Sequence, residues 1–128
     1  MTPYSYDLTF NKNTDFRLSF QAFEDDNTTP LFFVGTNATD TYECRMIVTR
    51  ALNGGETVLE ISNYPSTNQN INDTIDFSVT EDGRIDIDIS EETINALTNN
   101  KYHYTIILSS SSGYDQMLLR GRIDVFGG

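Results

Sequence analysis

The sequence predicts an all-β protein, a small antiparallel β-sandwich, from three observations. Aromatic and β-branched residues recur in short runs in which apolar and polar side chains alternate, the period of a strand with one buried face. Turn signals rich in Gly, Asn and Asp separate these runs. Only one segment, near residues 91–97, has the pattern of a helical turn. We therefore expect about seven to nine strands and one short helical turn.

The chain has 128 residues, the size of one domain, and we expect a single β-sandwich domain over residues 1–128. Nineteen acidic residues against eight basic ones give a formal net charge of −11. A surface of this sign repels phosphate groups, which argues against a nucleic-acid partner. No apolar run approaches the roughly 18 residues of a membrane span, and the N-terminus lacks a signal-peptide pattern. We expect assembly in a cytoplasm and no membrane partner.

The first half of the chain contains alternating strands. The apolar faces of the first two are Tyr6, Leu8 and Phe10, and then Phe16, Leu18 and Phe20. Residues 31–34 are interpreted as a short strand, with the landing of a long loop onto the core as the alternative, and residues 42–50 as a longer strand with Cys44 on its core face. The Asn-Gly-Gly turn at residues 53–55 predicts an antiparallel return over residues 57–61.

The clearest hairpin lies in the second half. Alternating apolar residues stand on both sides of its Glu81-Asp82-Gly83 turn: Ile75, Phe77 and Val79 before it, and Ile85, Ile87 and Ile89 after it. Gly83 is expected to adopt a positive φ, which a β-branched residue would resist. Asp86 and Asp88 alternate with the isoleucines and are expected to keep the solvent face of the hairpin charged.

A helical turn and two strands follow the hairpin. Ser90 is placed to cap the turn, and Ile94 and Leu97 share its apolar face. Two strands are then predicted, with core faces that comprise Tyr102, Tyr104, Ile106 and Leu108 in the first, and Met117, Leu119, Ile123 and Val125 in the second. Gly121 interrupts the last strand and marks either a bulge or a close approach of another segment.

The sequence contains few residues in arrangements that could support catalysis. The single histidine, His103, is expected on the face opposite Tyr102 and Tyr104, away from Cys44, so no nucleophile and base pair is predicted. One His and one Cys cannot supply a zinc site. The aspartates leave calcium as an open alternative, although none has EF-hand spacing. We expect a protein that is not an enzyme and has no cofactor.

Two polar features are candidate contacts for a partner. Arg120 and Arg122 share one face of the last strand, where they either anchor a partner or are balanced by neighbouring acids. The segment from Ser62 to Asp73 is long and rich in Asn, Ser and Thr, and is expected to be a mobile or interaction loop. Its candidate contact residues are Tyr64, Asn68 and Asn70.

Both ends of the chain resemble a family of small phage virion domains, the immunoglobulin-like N-terminal domain of phage baseplate upper proteins and related tail-associated proteins. The resemblance is carried by the opening pair, YDLTF at residues 6–10 and FRLSF at residues 16–20, and by four later segments: DGRIDIDIS at residues 82–90, ETINAL at 92–97, YHYTI at 102–106 and LLRGRIDV at 118–125. It implies an antiparallel immunoglobulin-like β-sandwich and no catalytic residues.

The resemblance further implies a structural protein of a tailed-phage virion, assembled in the host cytoplasm. Its expected partners are other virion structural proteins in a tail, baseplate, neck or capsid scaffold, with self-association as a further expectation. Tail or baseplate is preferred over capsid decoration. Three residues follow Val125, so we expect a free-standing decoration or assembly protein rather than an adaptor. The alternative function is a soluble carbohydrate- or calcium-dependent module that binds a host surface.

Overall fold

A computed structural model describes residues 4–22, 41–50, 55–64, 67, 69–76, 83–111, 113 and 115–127. The predicted strand at residues 31–34 and the predicted turn residues Glu81 and Asp82 lie outside this part of the chain. The elements in chain order are β1 (Tyr4–Ser5), β2 (Leu8–Asn11), β3 (Phe16–Gln21), β4 (Tyr42–Thr49), β5 (Thr57–Ser62), β6 (Thr74–Asp76), β7 (Arg84–Ile89), α1 (Glu91–Asn95), β8 (Lys101–Ser110) and β9 (Asp115–Phe126).

The strands form two sheets, which confirms the predicted all-β class. A six-stranded sheet has the order β1-β9-β8-β4-β5, with β2 also paired to β9, and a three-stranded sheet has the order β3-β7-β6. Strands β4 and β5 pair antiparallel, as the Asn-Gly-Gly turn predicted. Strands β6 and β7 also pair antiparallel, and Gly83 before β7 has a φ of +80°, as expected.

The inward side chains of both sheets and of α1 make one core. The residues predicted to share it are buried or pack against it: Ile85, Ile87, Leu97, Tyr102, Tyr104, Ile106, Leu119 and Ile123. The aspartates between the isoleucines of β7 point away from this core, as predicted, and they contact polar side chains of β3. The alternation in the sequence therefore identified the buried face of most strands correctly.

The short helix forms where the sequence predicts a helical turn. Ser90 has an extended backbone, and its hydroxyl accepts a hydrogen bond from the Thr93 amide, so it is the N-cap. Ile94 is fully buried on the inner side of the helix. Beyond the helix, the hydroxyl of Tyr102 accepts hydrogen bonds from the amides of Thr98 and Asn99, at 3.1 and 2.9 Å. This tyrosine therefore fixes the chain as it turns from α1 into β8.

The expectation of a purely antiparallel sandwich is wrong at the N-terminus. Both β1 and β2 run parallel to β9, with Leu8 beside Ile123 and Phe10 beside Val125. The regular strand geometry is interrupted at Tyr6, between β1 and β2. Tyr6 is therefore 56% exposed instead of sharing the core face of Leu8. Side-chain alternation reports which face is buried but not the direction of the neighbouring strand, and the sequence therefore left this pairing undetermined.

Gly121 is the site of a close approach, one of its two predicted roles. A Cβ atom at this position would overlap the carbonyl group of Tyr6, whose carbon atom would lie 2.8 Å away. The same carbonyl oxygen accepts a hydrogen bond from the buried hydroxyl of Tyr104. Burial, together with the negative charge of nearby Asp7, raises the pKa of Tyr104 to about 12, so the hydroxyl remains a donor at neutral pH.

The bulge in the last strand lies elsewhere. Ile106 pairs with Leu119 but Ile107 pairs with Met117, so Leu118 is the extra residue on β9. Leu118 is consequently buried, and Met117 lies opposite Ile107 on the outer face. The prediction that Met117 shares a face with Leu119, Ile123 and Val125 is therefore wrong, because a bulge exchanges the two faces of the strand beyond it.

We predict that Gly121→Ala destabilises the protein by at least about 2 kcal/mol, since the added methyl group meets backbone atoms that cannot rotate away. Amide exchange in β2 should also accelerate. The matched control is Gly113→Ala, where nothing lies within 4 Å of an added Cβ and only the strain of its φ of +89° opposes the substitution, at a cost of about 1 kcal/mol. Denaturant unfolding of both variants checks this prediction, and equal losses would contradict it.

We also predict that Ile87→Ala costs about 2–5 kcal/mol of unfolding free energy, because Ile87 is fully buried between the sheets. Asp88→Ala, one residue away on the outer face, should cost about 1 kcal/mol or less. Thermal and urea unfolding of the two variants measure the difference. A larger loss for the aspartate variant would mean that its carboxylate does more than pair with Arg17.

Candidate interaction surfaces

The residues that could have supported catalysis lie apart. Cys44 is fully buried on the inner side of β4, and burial, with a smaller effect of the Glu43 carboxylate, raises the pKa of its thiol to about 12. His103 occupies the outer side of β8, in register with Thr49 and Arg122. The six-stranded sheet therefore separates the thiol from the imidazole, and Cys44 is a core residue, as the sequence predicted.

Two of the carboxylates considered for calcium, Asp86 and Asp88, contact protein donors, whereas Asp25, Asp26 and Asp82 lie outside the described residues. Asp88 accepts from the Arg17 guanidinium at 2.6 Å, and Asp86 accepts from the Ser19 hydroxyl at 2.6 Å and the Arg84 guanidinium at 2.9 Å. Partial burial works against the charged form of Asp86, but these hydrogen bonds outweigh it and lower the pKa of this carboxyl. The described residues contain no cluster of three or more His, Cys, Asp or Glu side chains arranged to hold a metal ion.

The loop from Ser62 to Asp73, expected to be mobile, is anchored in its described part. The side-chain amide of Gln69 accepts from the Ser62 amide at 2.9 Å and donates to the Ser62 carbonyl at 3.1 Å, as a neighbouring strand residue would. At the start of the loop, the Asn63 side chain accepts a hydrogen bond from the Cys44 amide at 2.8 Å. The loop is thus tied to the ends of β4 and β5.

Asp73 connects this loop to the helix. Asp73 is only 2% exposed. One of its carboxylate oxygens accepts a hydrogen bond from the Ser90 amide at 2.8 Å, and the other accepts one from the Thr93 hydroxyl at 2.6 Å. The Asp73 carbonyl also accepts from the Gln69 side chain at 2.9 Å. Sequence reasoning missed this role, because the partners of Asp73 are distant along the chain and no local motif joins them.

The predicted loop contacts have different environments. Tyr64 is 56% exposed at the end of β5, whereas Asn68 lies outside the described residues. Asn70 lines an open groove of about 800 Å³ between β5 and α1, and it stabilises its own turn by accepting a hydrogen bond from the Asn72 amide. Ile71, at the tip of this turn, is 90% exposed. An apolar residue held outward on a hydrogen-bonded turn is available to a partner.

Arg120 and Arg122 lie on the outer face of β9, as predicted, and both are exposed. Arg122 makes a loose ion pair with Asp7, with 3.7 Å between nitrogen and oxygen, and Arg120 makes no ion pair within the described part of the chain. Arg45 shares this outer face. Its guanidinium lies 3.7 and 3.8 Å from the carboxylates of Glu43 and Glu60.

Three partly exposed apolar residues lie on the same face as the arginines, two of them paired across β8 and β9 and the third on β4. Ile107 of β8 pairs with Met117 of β9, and Ile47 of β4 is in register with Thr105, which pairs with Arg120. Ile47, Ile107 and Met117 are all partly exposed. Their sequence signal was available, since Ile47 and Ile107 are apolar residues on the polar side of their strands. Met117 could not be placed there without knowing the bulge at Leu118.

The structure does not bring the two sets of predicted contacts together. Strands β8 and β4 separate β9 from β5, so the arginine pair and the β5 edge are about 14 Å apart across the sheet.

Within the described residues, the five-residue α1 is far too short to span a membrane. No family model and no curated protein matches this chain. The choice of function therefore depends on the chemistry of these surfaces.

We predict that Asp73→Ala lowers the unfolding free energy by about 2–3 kcal/mol, because the buried Ser90 amide and the Thr93 hydroxyl lose a charged acceptor. Asp115→Ala is the control, since Asp115 is exposed on β9, and its effect should be within about 0.5 kcal/mol. Urea unfolding monitored by circular dichroism compares them. Equal stability of the two variants would show that the loop and the helix are held together by other contacts.

Proposed function

We propose that this protein is a non-enzymatic structural component of a tailed-phage virion, built as an immunoglobulin-like sandwich and docked onto a tail, baseplate, neck or capsid scaffold. The observation that carries the proposal is the outer face of the six-stranded sheet, where exposed arginines share the surface with the partly exposed Ile47, Ile107 and Met117. The phage assignment also draws on the sequence resemblance at both ends of the chain.

Two features of the fold support the immunoglobulin-like assignment. The order β3-β7-β6 corresponds to strands B, E and D of such domains, and the neighbours β4, β8 and β9 correspond to C, F and G, with β5 as an added C′ strand. Tyr102, at the start of β8, binds backbone amides three and four residues upstream through its hydroxyl. This resembles the tyrosine corner found at the start of strand F in immunoglobulin-like sandwiches.

The composition of the outer face supports docking. Arg and Met are enriched at protein interfaces, where the guanidinium forms directed hydrogen bonds and the thioether adapts to the partner's shape. Here Arg120 and Arg122 stand beside Met117 and Ile107, in a chain with a net charge of −11. Cationic side chains are few on this protein, so an exposed pair of them next to apolar surface favours an acidic partner surface with apolar contacts at its centre.

The proposal is tested by reversing both charges, with Arg120→Glu and Arg122→Glu in one variant. The fold should be retained, because both side chains are exposed and neither donates to a buried acceptor among the described residues. Incorporation into virions should fall at least about tenfold, since two attractive contacts become repulsive. Quantitative mass spectrometry of purified particles measures the copy number, and circular dichroism checks the fold.

The matched control carries the same charge change elsewhere, with Lys12→Glu and Arg84→Glu. Lys12 lies in the turn after β2, and Arg84 lies at the start of β7 on the other sheet, where its partly exposed ion pair with Asp86 contributes little to stability. Normal incorporation of the β9 variant would remove its outer face from the interface.

A glycan array with and without calcium tests the alternative host-binding function, and a signal there would count against the structural role.

A further inference from the structure

The central row of side chains on the outer face runs across four strands of the six-stranded sheet. Its members are in register from β9 to β5: Arg120, Thr105, Ile47 and Glu60. A cation stands at one end of this row, a carboxylate stands at the other, and two uncharged side chains lie between them. Because neighbouring strands are about 4.8 Å apart, the two charges lie at equal distances from the middle of the row, between β8 and β4. The row is therefore complementary to a second row turned end for end.

Both charged ends of this row are accessible. Arg120 is exposed and makes no ion pair within the described part of the chain. The side chain of Glu60 is 50% exposed, and its carboxylate lies 3.8 Å from the Arg45 guanidinium, farther than a hydrogen bond allows. Each group therefore retains the capacity for a close, hydrogen-bonded ion pair with a charge outside the molecule.

The row on one side of Arg120 accepts the same reversal. A two-fold rotation about an axis parallel to the strands, between β8 and β4, exchanges β9 with β5 and β8 with β4. Arg122, His103, Thr49 and Thr57 are in register in this row. The rotation places Arg122 opposite Thr57 of a second copy and His103 opposite Thr49. The second cation of β9 therefore meets an uncharged side chain.

The row on the other side of Arg120 contains the apolar residues. Met117, Ile107, Arg45 and Ser62 are in register there. The rotation places Met117 opposite Ser62 and Ile107 opposite Arg45, whose methylene groups can pack on an apolar side chain. This row therefore contributes apolar contact beside the charged ends of the central row.

The acidic end of the face is compatible with this arrangement. Glu43 is in register with Ser109, and Ser109 with Asp115. The rotation places Glu43 opposite Ser109, and it places Asp115 beyond Ser62, the last residue of β5. No like charges lie directly opposite each other in any of the four rows.

We propose that the outer faces of two copies of this chain pack together about that two-fold axis, so that Arg120 of each copy pairs with Glu60 of the other. Packed sheets lie about 10 Å apart and within about 30° of alignment, a gap that an arginine and a glutamate side chain can bridge together. The same patch then serves both copies, as a two-fold interface requires. This pairing deepens the proposed function and rests on it for the choice of face, since it names the partner that the face meets.

The size and charge of the molecule set the strength of the pairing. A patch four strands wide is small beside the interface of a permanent dimer, and two molecules with a net charge of −11 repel each other. The free protein should therefore dimerise weakly. Copies held side by side in a particle would pair more completely, because their effective concentration is higher.

The test is sedimentation velocity from about 5 to about 500 µM at about 0.15 M NaCl, with circular dichroism to check the fold. The unmodified protein should show a concentration-dependent monomer–dimer equilibrium. Arg120→Glu and Glu60→Arg should each raise the dimer dissociation constant at least about tenfold, because both symmetric ion pairs become repulsive. Arg122→Glu is the matched control, with the same charge change on the same face, and it should weaken the dimer much less because Arg122 meets Thr57.

An equimolar mixture of Arg120→Glu and Glu60→Arg tests the pairing directly. In the mixed dimer the two altered side chains face each other with opposite charges, and the unaltered Arg120 and Glu60 form the second pair. The mixture should therefore dimerise about as well as the unmodified protein. A monomer throughout for the unmodified protein, a mixture no better than either variant alone, or equal weakening by Arg120→Glu and Arg122→Glu would overturn the proposal.

Virion incorporation separates this pairing from the proposed function. Pairing between copies requires that Glu60→Arg lower the copy number, whereas docking on a different, acidic protein would tolerate or favour the added cation. Normal incorporation of Glu60→Arg, with loss of the variant altered at Arg120 and Arg122, would overturn the pairing and leave the proposed function standing. A dimer restored in the mixture, with normal incorporation of every variant, would support the pairing and remove the face from docking in the particle.

Discussion

The arrangement of this molecule depends on the contact between the Tyr6 carbonyl and the bare backbone of Gly121. The carbonyl occupies the space that a side chain at Gly121 would fill, and it accepts a hydrogen bond from the buried Tyr104 hydroxyl. Asp7, the next residue, accepts from the Arg122 amide at 3.0 Å. These contacts hold the N-terminal segment against β9 at the point where the segment changes from β1 to β2, so this segment forms the edge of the six-stranded sheet beside β9.

The opposite end of the same sheet is stabilised by polar contacts instead of a strand. Gln69 satisfies both backbone groups of Ser62, and the buried Asp73 joins the loop to the beginning of α1. Burying a carboxylate without hydrogen-bond donors would destabilise the fold. Here the Thr93 hydroxyl at 2.6 Å and the Ser90 amide at 2.8 Å replace the hydrogen bonds that water would donate to it. The loop that the sequence marked for contact with a partner is thus positioned by its own side chains, with Ile71 and Tyr64 left outside.

The outer face of the six-stranded sheet is the surface that these contacts leave for interaction. It presents Arg120 and Arg122 next to the partly exposed apolar residues Ile107 and Met117. The proposed docking to a partner of opposite charge depends on this combination, since the guanidinium groups and the apolar side chains lie on one face.

The sequence alone determined the fold class, the core face of most strands, the cap at Ser90 and the shared face of Arg120 and Arg122. These follow from local rules, since alternation and turn chemistry involve residues a few positions apart. Tertiary structure alone decided the parallel pairing of β1 and β2, the bulge that turns Met117 outward, and the role of Asp73. Each joins segments distant along the chain, and strand direction, register and hydrogen-bond partners across that distance leave no periodic signal in the residues themselves.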